Sequence, residues 1–302
     1  PGQHFGSDGA HRRRCGQSNK MDNVYICLSM DISFSKYQGT GNDFVLIDNM
    51  NGMYTGMELE QIKHLCNRKF GIGSDGLIML NASVKNDFYM DFFNPDGSKS
   101  FCGNGARCAV KFAFDSKIIN QNKMSFEAID GTHNATVCNS EVKLEMSINS
   151  TPTKTNLSSD TNEDFIETFF MDTGSPHLVA YVDKLNLLES KRLIQIGQEI
   201  RYSPKYIDKG INVNLVYIQD SDDLSIATYE RGVENETLSC GTGATACALI
   251  HAMQKNQQSG DIRVHTKGGL LQIAYEKNNQ GGFNAVYLIG PAMLIYNGTI
   301  RI

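Results

Sequence analysis

Three glycine landmarks recur in the same order along the sequence, and this recurrence restricts the fold more than any other feature. Thr40-Gly41-Asn42-Asp43-Phe44-Val45 returns as Thr173-Gly174-Ser175-Pro176-His177-Leu178, 133 positions on. Phe101-Cys102-Gly103-Asn104-Gly105-Ala106 returns as Ser239-Cys240-Gly241-Thr242-Gly243-Ala244, and Asp130-Gly131 as Gly268-Gly269, both 138 positions on. A five-residue insertion between the first two landmarks accounts for the change of offset. Self-similarity at a nearly fixed spacing marks a duplicated structural unit. Two like-folded halves are therefore expected, and a cleft between them would set equivalent motifs face to face.

Each copy reads as strands interrupted by helices. In the first, Ile32, Phe34 and Lys36 alternate before Gly39, and Phe44 to Asp48 is an apolar run of strand length. Leu59, Ile62, Leu65 and Cys66 fall at helical spacing, and Gly71-Ile72-Gly73 breaks that helix. Strands are expected at 77–80 and 88–93, a turn at Asn94-Pro95-Asp96-Gly97, a tightly buried helix from Gly103 to Phe114, and a hairpin about Asp130-Gly131. The second copy predicts a helix near 187–201, strands near 212–218 and 224–229, an Ala-rich helix from about 241, and strands at 262–266, 270–275 and 283–288.

These patterns predict an α+β fold of two pseudo-symmetric domains, each a mixed or antiparallel sheet wrapped round a central helix, with the active-site cleft between them. The expected division is 31–148, with 290–302 as a candidate completion, and 164–289, joined by the polar linker 149–163. Residues 1–30, with His11-Arg12-Arg13-Arg14 ahead of the apolar run Val24 to Met30, read as a leader or tag.

Composition narrows the partner. With 28 Lys and Arg against 33 Asp and Glu, a formal charge of −5 offers no broad cationic surface to nucleic acid or an anionic membrane, so a small-molecule partner is expected. No apolar run approaches the roughly 20 residues of a spanning helix. Eight cysteines are sparse and irregular with no Cys-x-x-Cys, and seven histidines form no His-x-x-x-His pair. No metal site is expected, and free thiols in a reducing cytoplasm are.

In both copies a cysteine ends an irregular segment and glycines open a helix. Unpaired N–H groups and the helix dipole stabilise an anion there, which is expected to lower the thiol pKa until thiolate is available near pH 7. Glycine also lets a ligand carboxylate approach the backbone. A lone cysteine at a helix start is more often a small packed hydrophobe. Retention of the thiol in the same glycine setting twice points instead to a paired acid and base, Cys102 and Cys240. Cys27, Cys66, Cys108, Cys138 and Cys247 read as structural. Gly241 to Ala246 also fits a loose dinucleotide fingerprint with Asp261 about 20 residues on, but no series of alternating parallel βαβ units surrounds it. Polar residues near the thiols, Asn42, Asn94, Ser175, His177, Asn212 and the adjacent Glu230-Arg231, are candidate substrate contacts. Glutamate and arginine side by side can read the two ends of a zwitterion.

The motifs together are specific. Gly39-Thr40-Gly41-Asn42-Asp43-Phe44, Gly71-Ile72-Gly73-Ser74-Asp75-Gly76, Phe93-Asn94-Pro95-Asp96-Gly97-Ser98, Cys102-Gly103-Asn104-Gly105-Ala106-Arg107, and Tyr229-Glu230-Arg231-Gly232 leading to Cys240-Gly241-Thr242-Gly243 resemble the diaminopimelate epimerase family over essentially all of residues 32–302. The resemblance implies interconversion of LL- and meso-diaminopimelate without pyridoxal phosphate, metal or other cofactor, and a homodimer. By carry-over, Asn42 and the backbone of Gly103, Asn104, Gly241 and Thr242 hold the reacting carboxylate, and Asn94, Asn212, Glu230 and Arg231 grip the distal amino-acid end. Ser175 replaces an asparagine frequent in the family, and Gly76 stands where some members have glutamine, so that contact is expected to be absent or replaced. His177 follows the motif and is read as orienting the reacting end or as a structural histidine. Two other readings stand beside this one: a cysteine racemase of the same fold acting on another amino acid, such as proline, and a thiol redox or binding protein.

Overall fold

The computed structural model describes residues 30–157 and 165–302, so the expected leader apart from Met30, and residues 158–163 of the expected linker, lie outside the described residues. The first half runs β1 (Asp31–Gly39), β2 (Asn42–Asn49), α1 (Leu59–Cys66), β3 (Gly76–Asn81), β4 (Phe88–Phe93), α2 (Gly103–Asp115), β5 (Lys123–Ala128), β6 (Gly131–Cys138) and β7 (Glu141–Glu145). The second runs β8 (Thr153–Lys154), β9 (Glu167–Asp172), β10 (Pro176–Tyr181), α3 (Ser190–Arg201), β11 (Asn212–Asp220), β12 (Asp223–Glu230), β13 (Asn235–Thr237), α4 (Gly241–Met253), β14 (Ser259–Thr266), β15 (Gly269–Lys277), β16 (Phe283–Pro291) and β17 (Met293–Arg301).

Strand pairing repeats with the sequence. β1 and β2 are antiparallel, β2 and β3 parallel across α1, β3 and β4 antiparallel, β4 and β5 parallel across α2, and β5–β6–β7 an antiparallel meander. The second half follows the same series through β9–β10, β10–β11 across α3, β11–β12, β12–β14 across α4, and β14–β15–β16. The turn landmarks match in backbone conformation as well. Gly131 and Gly269 open the return strands of equivalent hairpins at φ 135° and 138°, a region that only glycine enters freely.

Alternation along the parallel strands explains why they read as continuous apolar runs. In β2, Phe44 and Leu46 face the cluster around α2, whereas Val45 and Ile47 face the cluster around α1. Leu178 and Ala180 of β10 likewise join α3, and Val179 and Tyr181 the other face. Strands covered on both sides need apolar residues at every position. Helices α2 and α4 are buried nearly all round, and their residues share one hydrophobic cluster, which spans the two copies.

Two connections cross between the halves. β16 pairs antiparallel with β7, and β17 pairs antiparallel with β1 along most of its length. The short β8, inside the expected linker, lies against β9 as β17 lies against β1. The expected strands include neither β7 nor β8: β8 is two residues long and polar, and β7 spans only five residues, although Val142 and Leu144 alternate with charge as in a half-buried strand. Among the described residues no helix is long and apolar enough to cross a membrane.

Candidate active site

Cys102 and Cys240 are the N-cap residues of α2 and α4, in extended conformation, with helices opening at Gly103 and Gly241. The Cys102 sulfur accepts from the Gly105 backbone N–H at 3.5 Å, and the Cys240 sulfur lies 3.4 Å from Thr242 Oγ1. The two helix starts approach closely. A methyl group placed on Gly241 would meet Leu288 Cδ2 at 2.9 Å and Asn104 Oδ1 at 3.3 Å.

Burial reverses the thiol acidity expected from the helix termini. Cys102 is half-buried and Cys240 only 8% exposed. Desolvation pushes the Cys102 thiol up against the Gly105 N–H, and the Glu230 carboxylate pushes it the same way. Cys240 is pushed up to about 12, by desolvation first, then by Glu230, with Thr242 opposing. The expectation of lowered pKa values is therefore corrected: removing a sulfur anion from water outweighs the partial charge of a helix terminus here.

Around Cys102 the polar residues form one connected set. Asn42 opens β2 after Thr40 and Gly41, both at positive φ, 50° and 91°. Its amide donates to Asp75 Oδ2 at 3.0 Å and accepts from Asn104 Nδ2 at 2.6 Å. Asn104 Nδ2 also donates to the Ser239 carbonyl at 3.1 Å, across the two copies. Beside Cys240, Thr242 Oγ1 lies 3.1 Å from Ser175 Oγ and 3.0 Å from His177 Nε2. Asn212 donates to Ser175 Oγ at 3.3 Å and accepts from the Arg231 backbone N–H at 2.9 Å. His177 is fully buried, and desolvation with the nearby Arg231 charge pushes it down to about 3, so it is neutral.

The distal residues are less convergent. Glu230 ends β12 half-buried, its carboxyl pushed up by burial, with Thr237 opposing and Asp75 adding to the rise. Arg231 is exposed and donates to the Lys209 carbonyl at 2.9 Å. Asn94 closes its own turn, its amide donating to Ser98 and Ser100 at 3.0 and 3.2 Å. Gly76 has no room for a side chain, because a methyl group there would come within 2.3 Å of the Phe92 ring.

Several residues of this set carried no signal of their own. Asn214 donates to His177 Nδ1 at 3.1 Å, and only its place two residues after Asn212 on one strand face could have marked it. Arg107, Thr40 and Ser239 bond at the crossing between halves, where local spacing says nothing.

Two cysteines thus stand at equivalent helix starts on a duplicated α+β frame. A solved Bacillus anthracis protein described as a phenazine biosynthesis protein of the PhzF family shares the fold with a TM-score of 0.69 at 13% identity, over 90% of this chain and all of its own. The sequence model of diaminopimelate epimerase matches residues 34–152 and 169–295. Diaminopimelate epimerase of Flavobacterium psychrophilum is 41% identical over 88% of this chain and 98% of its own length, and that of Chlorobaculum tepidum 40% identical over 87% and 99%. The chain belongs to the diaminopimelate epimerase family.

Proposed function

We propose that this chain interconverts LL- and meso-diaminopimelate by two-base proton transfer at one α-carbon. One cysteine, as thiolate, takes the α-hydrogen as a proton. The other, as thiol, delivers its proton to the opposite face, and the sulfurs have exchanged protonation states when the product leaves. No electrons change hands. The observation that carries this reading is the pair of cysteine N-caps on two helix starts that approach within contact distance of each other.

Helix-start N–H groups at Gly103, Asn104, Gly241 and Thr242, with Asn42, are suited to holding the reacting carboxylate and the charge that develops at the α-carbon. Ser175 and His177 support Thr242. Glu230 and Arg231, with Asn212, take the distal ammonium and carboxylate, and Asn94 joins them only through the side-chain oxygen that its turn leaves over. A desolvated sulfur with a raised pKa is a stronger base once ionised, and the substrate's ammonium brings positive charge that favours ionisation.

The division into pseudo-symmetric domains at 31–148 with 290–302 and at 164–289, the cleft between them, and a cytoplasmic setting are part of the same reading. The repeated strand pairing and the free described cysteines support them. A homodimer is supported by β17, whose Met293, Leu294, Ile295 and Tyr296 are all exposed. Isolated apolar residues on a surface are ordinary, but a contiguous run is not.

Incubation with LL-diaminopimelate in D₂O, under reducing conditions and without added cofactor, should give the meso isomer carrying deuterium at one α-carbon. Near-normal epimerisation by both Cys102→Ser and Cys240→Ser would sink the two-thiol reaction. A monomer by light scattering would sink the dimer alone.

A further inference from the structure

Arg107 lies one turn into α2, and its side chain is fully buried. An arginine cannot shed its proton to escape burial. Its Nε has no hydrogen-bond partner among the described residues, and the titratable groups coupled to it are the thiols of Cys108 and Cys102, not a carboxylate. Backbone without side chains makes room for it: methyl groups on Gly39 and Gly290 would each come within 3.3 Å of the guanidinium. A cation placed at such cost has a role beyond filling space.

The two outer nitrogens define that role. Nη1 donates to Asn104 Oδ1 at 2.8 Å and Nη2 to Thr40 Oγ1 at 3.1 Å. A guanidinium only donates and the Ser239 carbonyl only accepts, so the Asn104 amide between them has one orientation. That orientation aims its NH₂ at Asn42, whose own NH₂ faces Asp75. Oriented amides thus run from a buried cation to a carboxylate, each polarising the next. On the other branch Thr40 donates to Ser239 Oγ at 3.0 Å. Both branches end on Ser239, the residue before Cys240. Thr40 holds the left-handed φ of 50°, uncommon for a β-branched residue and a strain that such a network sustains.

The duplication supplies an internal comparison. The position equivalent to Arg107 is Thr245, whose hydroxyl turns back to the Gly241 carbonyl at 2.8 Å. One helix start has a cation beneath it and the other does not. The groups whose charge reaches the two sulfurs are Glu230 at the end of β12, Arg107 on α2, and the cysteines themselves, with Cys108 and Cys247 next in line.

We infer that Arg107 is a positioning residue for the two-cysteine site: it orients Asn104, ties the helix start at Cys102 to the segment entering Cys240, and favours the thiolate on the Cys102 side. The kinetic part rests on the reaction proposed above, and the chemical-labelling part does not.

Arg107→Gln and Arg107→Lys in the full chain test it. Iodoacetamide labelling of Cys102 and Cys240, resolved by peptide mass spectrometry across pH, should show the Cys102 curve moved to higher pH in the Gln variant and the Cys240 curve moved less. The Lys variant should move the Cys102 curve no further than the Gln variant does, since a buried lysine, unlike arginine, can shed its proton. It should nevertheless lose about tenfold in kcat, because one ammonium does not span Asn104 and Thr40 as the fork does, and the Gln variant about a hundredfold with KM within about threefold. In a folded Gln variant, an unmoved Cys102 curve or an unchanged kcat overturns the inference. If the Gln variant does not fold by circular dichroism, wild-type kcat in the Lys variant overturns it. Absence of epimerisation by the wild-type chain would remove the reaction but leave the labelling curves to decide on Arg107.

Discussion

His177 Nε2 lies 3.0 Å from both Thr242 Oγ1 and Ser175 Oγ, and the hydrogen on that nitrogen belongs to the imidazole. Asn214 fixes this, since its NH₂ must face the Leu178 carbonyl at 2.9 Å and therefore also donates to His177 Nδ1. With Nδ1 accepting, the neutral ring carries its proton on Nε2. Thr242 then has its own hydrogen to give either to the Cys240 sulfur, 3.4 Å away, or to Ser175 Oγ, 3.1 Å away.

Thr242→Val removes a hydroxyl that lies 3.4 Å from that sulfur and leaves the volume nearly unchanged. Epimerisation should fall by about 10- to 100-fold while Thr242→Ser retains most of it. Full activity in the Val variant, measured by α-hydrogen exchange, would show that the hydroxyl does not act on Cys240.

His177 gives stability a pH dependence of known sign. The folded-state pKa of about 3 lies below the ordinary value of 6.5. Between those values the unfolded chain binds the extra proton, so stability falls as pH drops from about 6.5 towards about 3. The urea midpoint of the wild type should decline more steeply over this window than that of His177→Gln, and parallel curves would contradict the assignment.

The two helix starts should tolerate a methyl group unequally. Gly103→Ala meets nothing closer than 3.4 Å, whereas Gly241→Ala meets Leu288 at 2.9 Å and Asn104 at 3.3 Å. We expect the first to retain near-normal activity. The second should lose at least about tenfold and about 1–3 kcal/mol of stability through overpacking. Thermal melts and rates on the pair check this, and equal behaviour would contradict the close approach.

Removal of residues 293–302 should unfold more than a tail. β17 covers the free edge of β1, and Ile300 and Ile302 pack with Ile32 and Val45. An uncovered edge strand is open to pairing with other chains. The truncated protein should aggregate or lose its cooperative melt; a wild-type melting temperature would rule out a completing role for this strand.

Much of the architecture was legible because it is local. Phe44 to Ile47 declares a strand covered on both faces by having no polar position, and Gly131 and Gly269 declare their turns by a φ that other residues avoid. Arg107 was within sight, inside a motif, yet a lone arginine on a helix has no period that separates a surface side chain from a buried one. Asn94 illustrates the reverse: its turn was plain, but its amide is committed to that turn.

The sequence by itself determined that two equivalent cysteines would each stand before a glycine-opened helix, since the duplicated motif encodes backbone geometry within a few residues. Only the tertiary structure decided how those helix starts meet. The Asn104 to Ser239 hydrogen bond, the β17 to β1 pairing and the Leu288 side chain beneath both glycines join positions far apart in the chain. It also decided the acidity of the thiols. A helix terminus is a local property that lowers a thiol pKa, but desolvation depends on everything packed around the sulfur, and here it is the larger effect.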